Sequence, residues 1–381
     1  MDDDFLSEAV NDALASQRGE VVARAAAGFD ASNDLCVLIH GMGGDAHDWD
    51  TWVEVLRARL PSWQVYPLQT LAQGARFLGD AISKLAEDAA VEMLEIIRCQ
   101  LRKIHGPLTL HCIGHSMGGI IIRGALPRVF DELAMQAQAH RLQLGHYLTL
   151  STPHLGVLTS WWGEGAWRSL SWLTSPVSSQ LVQLSIQDAR DGEVPYVVSL
   201  AARGAPSMRY LQAFRTRTCV TMSAGELPLS LASGIIDVNG SLIAKGEQAE
   251  DKEVEPEDVW YFGKRSGTLP DGSFERRLRK MKEQGGFVKD RVVMQEYEPL
   301  SDDSEQLEWV VSSDGMCTCP TRLINSLCSL QWQRVIVETN LGMFGAMNLH
   351  VFLIGKKSEQ YEVERDASRE CIECLVEILA D

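Results

Sequence analysis

Within one short stretch, the residue types and spacing suit an activated nucleophile. Gly114-His115-Ser116-Met117-Gly118 fits the pattern G-x-S-x-G. A serine hydroxyl is a weak nucleophile until a base takes its proton, and that base needs an acid to orient it. The pattern places the serine on a strand-to-helix turn so tight that the residues two before and two after it must lack a bulky Cβ. The turn lifts the Ser116 hydroxyl above a sheet edge, and the helix starting beneath it offers free N–H groups to an oxyanion. The chemistry open to such a serine is acyl transfer through a covalent intermediate. As an isolated motif, Ser116 would merely cap a helix in a glycine-rich turn. The apolar run before it (Leu108 to Ile113) and the apolar helical segment after it (Ile120 to Leu126) favour the nucleophile.

The partners follow from chain order. Around an elbow of this kind the order is serine, then acid, then histidine. The histidines stand at 40, 47, 105, 111, 115, 140, 146, 154 and 350. His154 comes straight after a strand, before any position for the acid. His350 alone lies far enough downstream, in a glycine-rich loop after the last core strand, so the order predicts it as the base. The strand predicted at 218–222 should deliver the acid at its carboxyl end. Glu226 fits, with Asp237 as competitor. The oxyanion needs two backbone N–H groups. Met117 supplies one, and Met42 in His40-Gly41-Met42-Gly43-Gly44 supplies the other. That loop matches neither G-x-x-x-x-G-K-[ST] nor G-x-G-x-x-G, which sets aside a phosphate cradle. His40 reads as an orienting residue rather than a catalyst.

These residues need a scaffold to bring them together. Leu35–His40, Trp63–Leu68, Leu108–Ile113 and Gly145–Ser151 read as strands. Helices over 45–60 and 78–103, and the one after the elbow, alternate with them. Continuous apolar strands alternating with helices predict an α/β fold, a mostly parallel central sheet with helices on both faces. One domain is expected over 35–380, after an N-terminal extension over 1–34. Residues 157–213 interrupt the alternation as a helical cap or lid. Its Trp161, Trp162, Trp167 and Trp172 either shape an acyl pocket or lipid contact, or form the ordinary core of the cap. Residues 238–313, dense in charge and glycine, predict a long, partly disordered insertion. Trp332–Val337 is the last predicted core strand, and Asp366–Leu379 a closing helix.

Composition narrows the partners. The formal charge is −17, which disfavours nucleic acid and anionic membrane surfaces. The opening Met1-Asp2-Asp3-Asp4-Phe5 predicts no secretory signal, and no apolar run is long enough to predict a membrane span. A cytoplasmic protein is expected, with peripheral membrane or lipid-droplet contact through the tryptophans as the open alternative. The nine cysteines are odd in number and scattered. Cys317, Cys319, Cys328, Cys371 and Cys374 are poorly spaced for zinc, so reduced thiols and no metal are expected.

Together these stretches resemble the eukaryotic putative serine esterase family, a lipase-like branch of the α/β-hydrolases. The resemblance is carried by Leu38–Gly44 with Asp48 and Trp49, by Gly114–Gly119, and by Ser151–Gly156. Trp332 with Val335, and His350 with Leu353 and Lys356, also match. It covers about 35–236 and 320–380. It implies hydrolysis of an acyl-lipid ester with no cofactor. Two departures stand out. Cys219-Val220-Thr221-Met222 replaces the usual Tyr-Ala-Asn strand, which puts Glu226 where an aspartate is usual. Ala346-Met347-Asn348 resembles a shifted Ala-His-Asn, so Met347 competes with His350 for the base position. Two other readings are a catalytically impaired fold acting as a binding or scaffold module, and a thioesterase or protein depalmitoylase.

Overall fold

The computed structural model describes residues 28, 30–69, 80–157, 179–189, 193–222, 229–238, 258–262, 289–293, 309–311, 318–337, 350–355 and 362–380. The first half alternates as its sequence pattern dictates. β1 (Asp34–Ile39) leads through a 3-10 turn, Ala46–Trp49, into α1 (Asp50–Arg59). Asp45 caps that turn reciprocally with Asp48, so the entry to α1 is fixed by side chains. β2 (Trp63–Pro67), α2 (Ile82–Lys103), β3 (Leu108–His115), α3 (Met117–Met135) and β4 (Leu142–Leu150) follow. Next come α4 (Ser179–Leu184), α5 (Tyr196–Ser199), α6 (Pro206–Ala213), β5 (Thr216–Met222) and α7 (Leu231–Ile235). The chain continues with β6 (Asp258–Phe262), β7 (Lys289–Val293), β8 (Trp309–Val311) and β9 (Thr318–Pro320). α8 (Thr321–Cys328), β10 (Gln333–Val337) and α9 (Glu362–Ala380) close it.

Eight strands form the main sheet in the order β2-β1-β3-β4-β5-β10-β6-β7. All neighbours are parallel except β6 and β7. The pattern of 238–313 predicts little regular structure, yet β6 and β7 fall inside that range and extend the sheet beyond β10. β6 owes its strand character to pairing with β10, and β7 to pairing with β6, neither of which composition registers. Between β1 and β3 the winding reverses. β2 lies on one side of β1, and the next strand, β3, lies on the other. Such a reversal opens a crevice at the carboxyl ends of the two strands.

Alternation along each strand sorts the core into two layers. Leu35, Val37 and Ile39 of β1 face α2, α3, α6 and α8. Cys36 and Leu38 face α1 and α9, with Val65, Ile113, Val220 and Val335. Both faces are covered, so the strands read as unbroken apolar runs. Cys371 and Cys374 are buried in the second layer, and every described cysteine is a free thiol. Among the described residues, no helix is long and apolar enough to cross a membrane.

At the amino edge of the sheet, Trp63 stacks on His111, with ring centroids 3.8 Å apart, and His111 stacks on His146. Hydrogen bonds fix both imidazoles as neutral tautomers. His111 Nδ1 accepts from the His146 backbone N–H, so its Nε2–H donates to Asp34. His146 Nε2 accepts from Arg215, so its Nδ1–H donates to Thr216. Burial lowers both pKa values, that of His146 to about 3, and holds His154 well below its usual range. A folded-state pKa below the unfolded value leaves stability intact above about pH 6.5 and removes it as pH falls towards the folded value. The melting temperature should therefore drop steadily from pH 7 to pH 5. Each such imidazole steepens the fall by at most about 1.4 kcal/mol per pH unit. His146→Gln should flatten the slope in thermal melts, and an unchanged slope would count against this account.

Candidate active site

The crevice between β1 and β3 holds the serine. Ser116 adopts φ 53° and ψ −127°, a conformation a side-chain-bearing residue rarely takes. It is held from both sides. Its N–H donates to Leu150 O of β4 at 2.8 Å, and its carbonyl accepts from Gly119 N–H at 3.3 Å. The glycines predicted around it are needed sterically. A Cβ on Gly114 would lie 2.5 Å from Gly119 N, and one on Gly118 would lie 2.1 Å from Ile39 O. Backbone atoms cannot move aside as a flexible side chain can.

The loop after β1 reaches the same point. A Cβ on Gly41 would sit 2.6 Å from Ser116 Cβ and 3.1 Å from its Oγ. The loop turns at once, with Gly44 N–H donating to Gly41 O and Gly43 at φ 70°. A left-handed residue at the third position of such a turn favours glycine. His40 is buried behind the loop, its Nδ1 within 2.9 Å of Gly41 O, and burial lowers its pKa. That contact ties the ring to the loop. Met42 sits half-buried in this turn, and Met117 is the buried first residue of α3. The first N–H groups of a helix lack partners within the helix, which leaves them for an anion.

Long-range closure delivers His350. The ring centroids of His350 and His115 are 4.8 Å apart, and His115 Nε2–H donates to the His350 carbonyl at 2.8 Å. His115 is the neighbour of Ser116, so a residue distant in sequence stands beside the elbow. Residues 350–355 are tied down on both sides. Trp52 Nε1–H of α1 donates to Leu353 O at 2.8 Å, and Thr51 Oγ1 donates to Gly355 O at 3.2 Å. Ser368 of α9 bonds Phe352 O. Sequence reasoning missed His115 and Trp52 as positioning groups. The signal for His115 was its place inside the elbow motif; Trp52 looked like an ordinary core residue of an amphipathic helix.

Glu226, Trp161, Trp162, Trp167, Trp172 and Met347 lie outside the described residues. Asp237 is buried after α7, on a segment that packs with α8. Nearby, Cys328 Sγ–H donates to Ile236 O and Arg334 Nε–H to Ile235 O. This is the α3 face of the sheet, whereas the segment after His350 packs on the α1 face. His154 is fully buried, its Nε2 2.9 Å from Thr149 Oγ1, and its ring meets Trp332 edge-on. It anchors the Thr152–Gly156 stretch beneath the elbow. Leu155 N–H donates to Ser233 Oγ, and Ser233 Oγ–H to Gly156 O. Among the described residues, no group of three or more His, Cys, Asp or Glu side chains forms a metal site.

The sequence model of the family described as "Putative serine esterase (DUF676)" matches residues 30–230, more than half of the chain, and the chain belongs to that family. The matched span contains the loop after β1, the elbow and the Thr152–Gly156 stretch. Among solved structures, the chain is similar to Est1E from Butyrivibrio proteoclasticus with bound ferulic acid. Identity there is 15%, over 53% of this chain and 73% of that one, with a TM-score of 0.30. It is also similar to the phospholipase PlaB from Legionella pneumophila in complex with thio-NAD. Identity there is 12%, over 91% of this chain and 62% of that one, with a TM-score of 0.35. A third is the peroxisomal α/β-hydrolase Lpx1 from Saccharomyces cerevisiae, at 14% identity over 53% and 66% of the two chains, TM-score 0.29. These scores carry no inference about substrate.

His115→Phe keeps an aromatic ring but removes the donor that holds the His350 carbonyl. It should lower kcat on a chromogenic ester by about tenfold or more with little change in KM. His140→Phe, at an exposed position, should leave both constants as they are. Equal behaviour of the two variants would remove His115 from the positioning role.

Proposed function

We propose that this α/β-hydrolase of the serine esterase family cleaves carboxylic esters of acyl lipids, using Ser116, His350 and Glu226. The observation that carries the reading is the bond from His115, next to Ser116, to the backbone of His350. It supports His350 as the base predicted from chain order. Ser116 Oγ attacks the ester carbonyl carbon while His350 accepts its proton. The oxyanion takes hydrogen bonds from the N–H groups of Met42 and Met117. The intermediate collapses, the C–O bond to the alcohol breaks, and His350 returns the proton to the leaving oxygen. Water then repeats the sequence on the acyl-enzyme, releasing the acid and restoring Ser116. Each proton and electron pair comes from ester, water or chain, so the proposal assigns no cofactor.

Glu226 is assigned as the acid that holds the imidazole tautomer. It follows β5 by four residues. The packing of Ile236 and Val238, which flank Asp237, on the α3 face favours Glu226 over its competitor. Residues 35–380 are read as one hydrolase domain, with 157–213 as a cap that places Trp161 and Trp162 against the acyl chain. Free thiols at every described cysteine accord with a cytoplasmic setting.

A fluorophosphonate probe should label the wild-type chain and leave Ser116→Ala unlabelled; labelling of that variant would sink the nucleophile. Glu226→Gln should lower kcat by about 10²–10⁴-fold, while Asp237→Asn stays near wild type. The reverse pattern would move the acid to Asp237. Replacing Trp161 and Trp162 together by Ala should raise KM for long-chain esters much more than for acetate esters. A uniform change across chain lengths would return the tryptophans to the core of the cap.

A further inference from the structure

A cavity of about 690 Å³ opens between α6 and α8, and it shares no residue with the elbow. α6 and α8 lead into the amino ends of β5 and β10, so the cavity belongs to the helical layer away from the carboxyl edge that carries Ser116. Its polar lining includes Arg203, Arg209, Arg322, Asn325, Ser326 and Ser329, and no carboxylate is among the described lining residues. In a chain of net charge −17, where acidic residues outnumber basic ones 52 to 35, a cavity lined by three arginines and by no described carboxylate is a local reversal of sign.

The position of Arg322 strengthens the point. It is the second residue of α8, in the first turn, where a helix favours negative charge, so its cation opposes the macrodipole. Its Nε is buried with no hydrogen-bond partner among the described residues. Arg203 is exposed on the loop before α6; Arg209 lies over the Tyr210 ring at 4.9 Å from its centroid and donates from Nη2 to the Tyr210 hydroxyl at 3.1 Å, which leaves its other N–H groups for a ligand. A planar guanidinium donates paired hydrogen bonds that suit a tetrahedral oxyanion, and serine and asparagine side chains can add to them. Val198, Met208 and Leu330 supply an apolar wall. The volume suits a small organic ligand rather than a bare inorganic ion.

We propose that this cavity is a second binding site, separate from the serine centre, that takes a phosphate monoester bearing an organic group. Arg203, Arg209 and Arg322 hold the phosphate, and the apolar wall takes the remainder. A soluble phosphate ester and a phosphomonoester lipid headgroup share this chemistry, and the test separates them.

The full chain is titrated with glycerol 3-phosphate by calorimetry, against sodium chloride at matched ionic strength. It is also sedimented with phosphatidylcholine vesicles with and without phosphatidic acid. Saturable binding of glycerol 3-phosphate assigns a soluble ligand; retention only on phosphatidic acid vesicles assigns a headgroup. In either case Arg203→Gln, at an exposed position that folding does not need, should weaken binding by about tenfold or more, and Arg322→Gln by at least as much. Both variants should keep wild-type melting temperatures without ligand and wild-type fluorophosphonate labelling, which separates this site from the hydrolase reading. No saturable binding to either probe, or variants that bind like the wild type, would overturn the proposal.

Discussion

The carbonyl oxygen of Ile39 occupies the place where a side chain on residue 118 would begin. That backbone contact joins the end of β1 to the first turn of α3, and the arrangement of the site depends on it. Gly118 permits the approach, and the approach sets the loop after β1 against Ser116, with Gly41 touching the serine side chain. The price is the backbone of Ser116, held in a conformation that costs about 1–3 kcal/mol. Bonds to Leu150 and Gly119 and the packing of α3 into the core hold it there. The strain at Ser116 and the nearness of the loop after β1 to its hydroxyl are thus consequences of one close crossing of two backbones.

The histidine side of the site is built by different means. Residues 350–355 are fastened through single hydrogen bonds from Trp52, Thr51 and His115. Trp52 and Ser368 belong to helices that pack together on the same face. The position of His350 therefore depends on α1 and α9 meeting correctly. The two halves of the site sit on one sheet but draw their rigidity from different layers.

Beneath the elbow the interior is unusually polar. Tyr147 Oη–H donates to Gly119 O, and Thr149 meets His154. Arg123 of α3 is fully buried, and none of its three side-chain nitrogens has a hydrogen-bond partner among the described residues. Burial lowers its pKa, with Tyr147 and Tyr196 acting the other way. A guanidinium so placed draws on stability rather than adding to it, because no ion pair among the described residues offsets its desolvation. The apolar layers defined by β1, β3, α2 and α3 must carry that cost along with the strain at Ser116.

The sequence by itself determined whatever is local. The apolar runs of β1 and β3, the helical spacing of α1 and α2, and the glycines around Ser116 are each specified within a few residues, because strand, helix and turn geometry have short periods. Chain order pointed to His350 but could not place it. The tertiary structure alone decided that His350 lies against His115, that the residues flanking Asp237 pack on the opposite face, and that Trp52 anchors the segment after the histidine. It also decided that 258–262 and 289–293 join the sheet, where composition predicts little order. The physical reason is the same in each case. A turn is selected by the residues that make it, whereas a contact across 235 positions is selected by the packing of every layer between them.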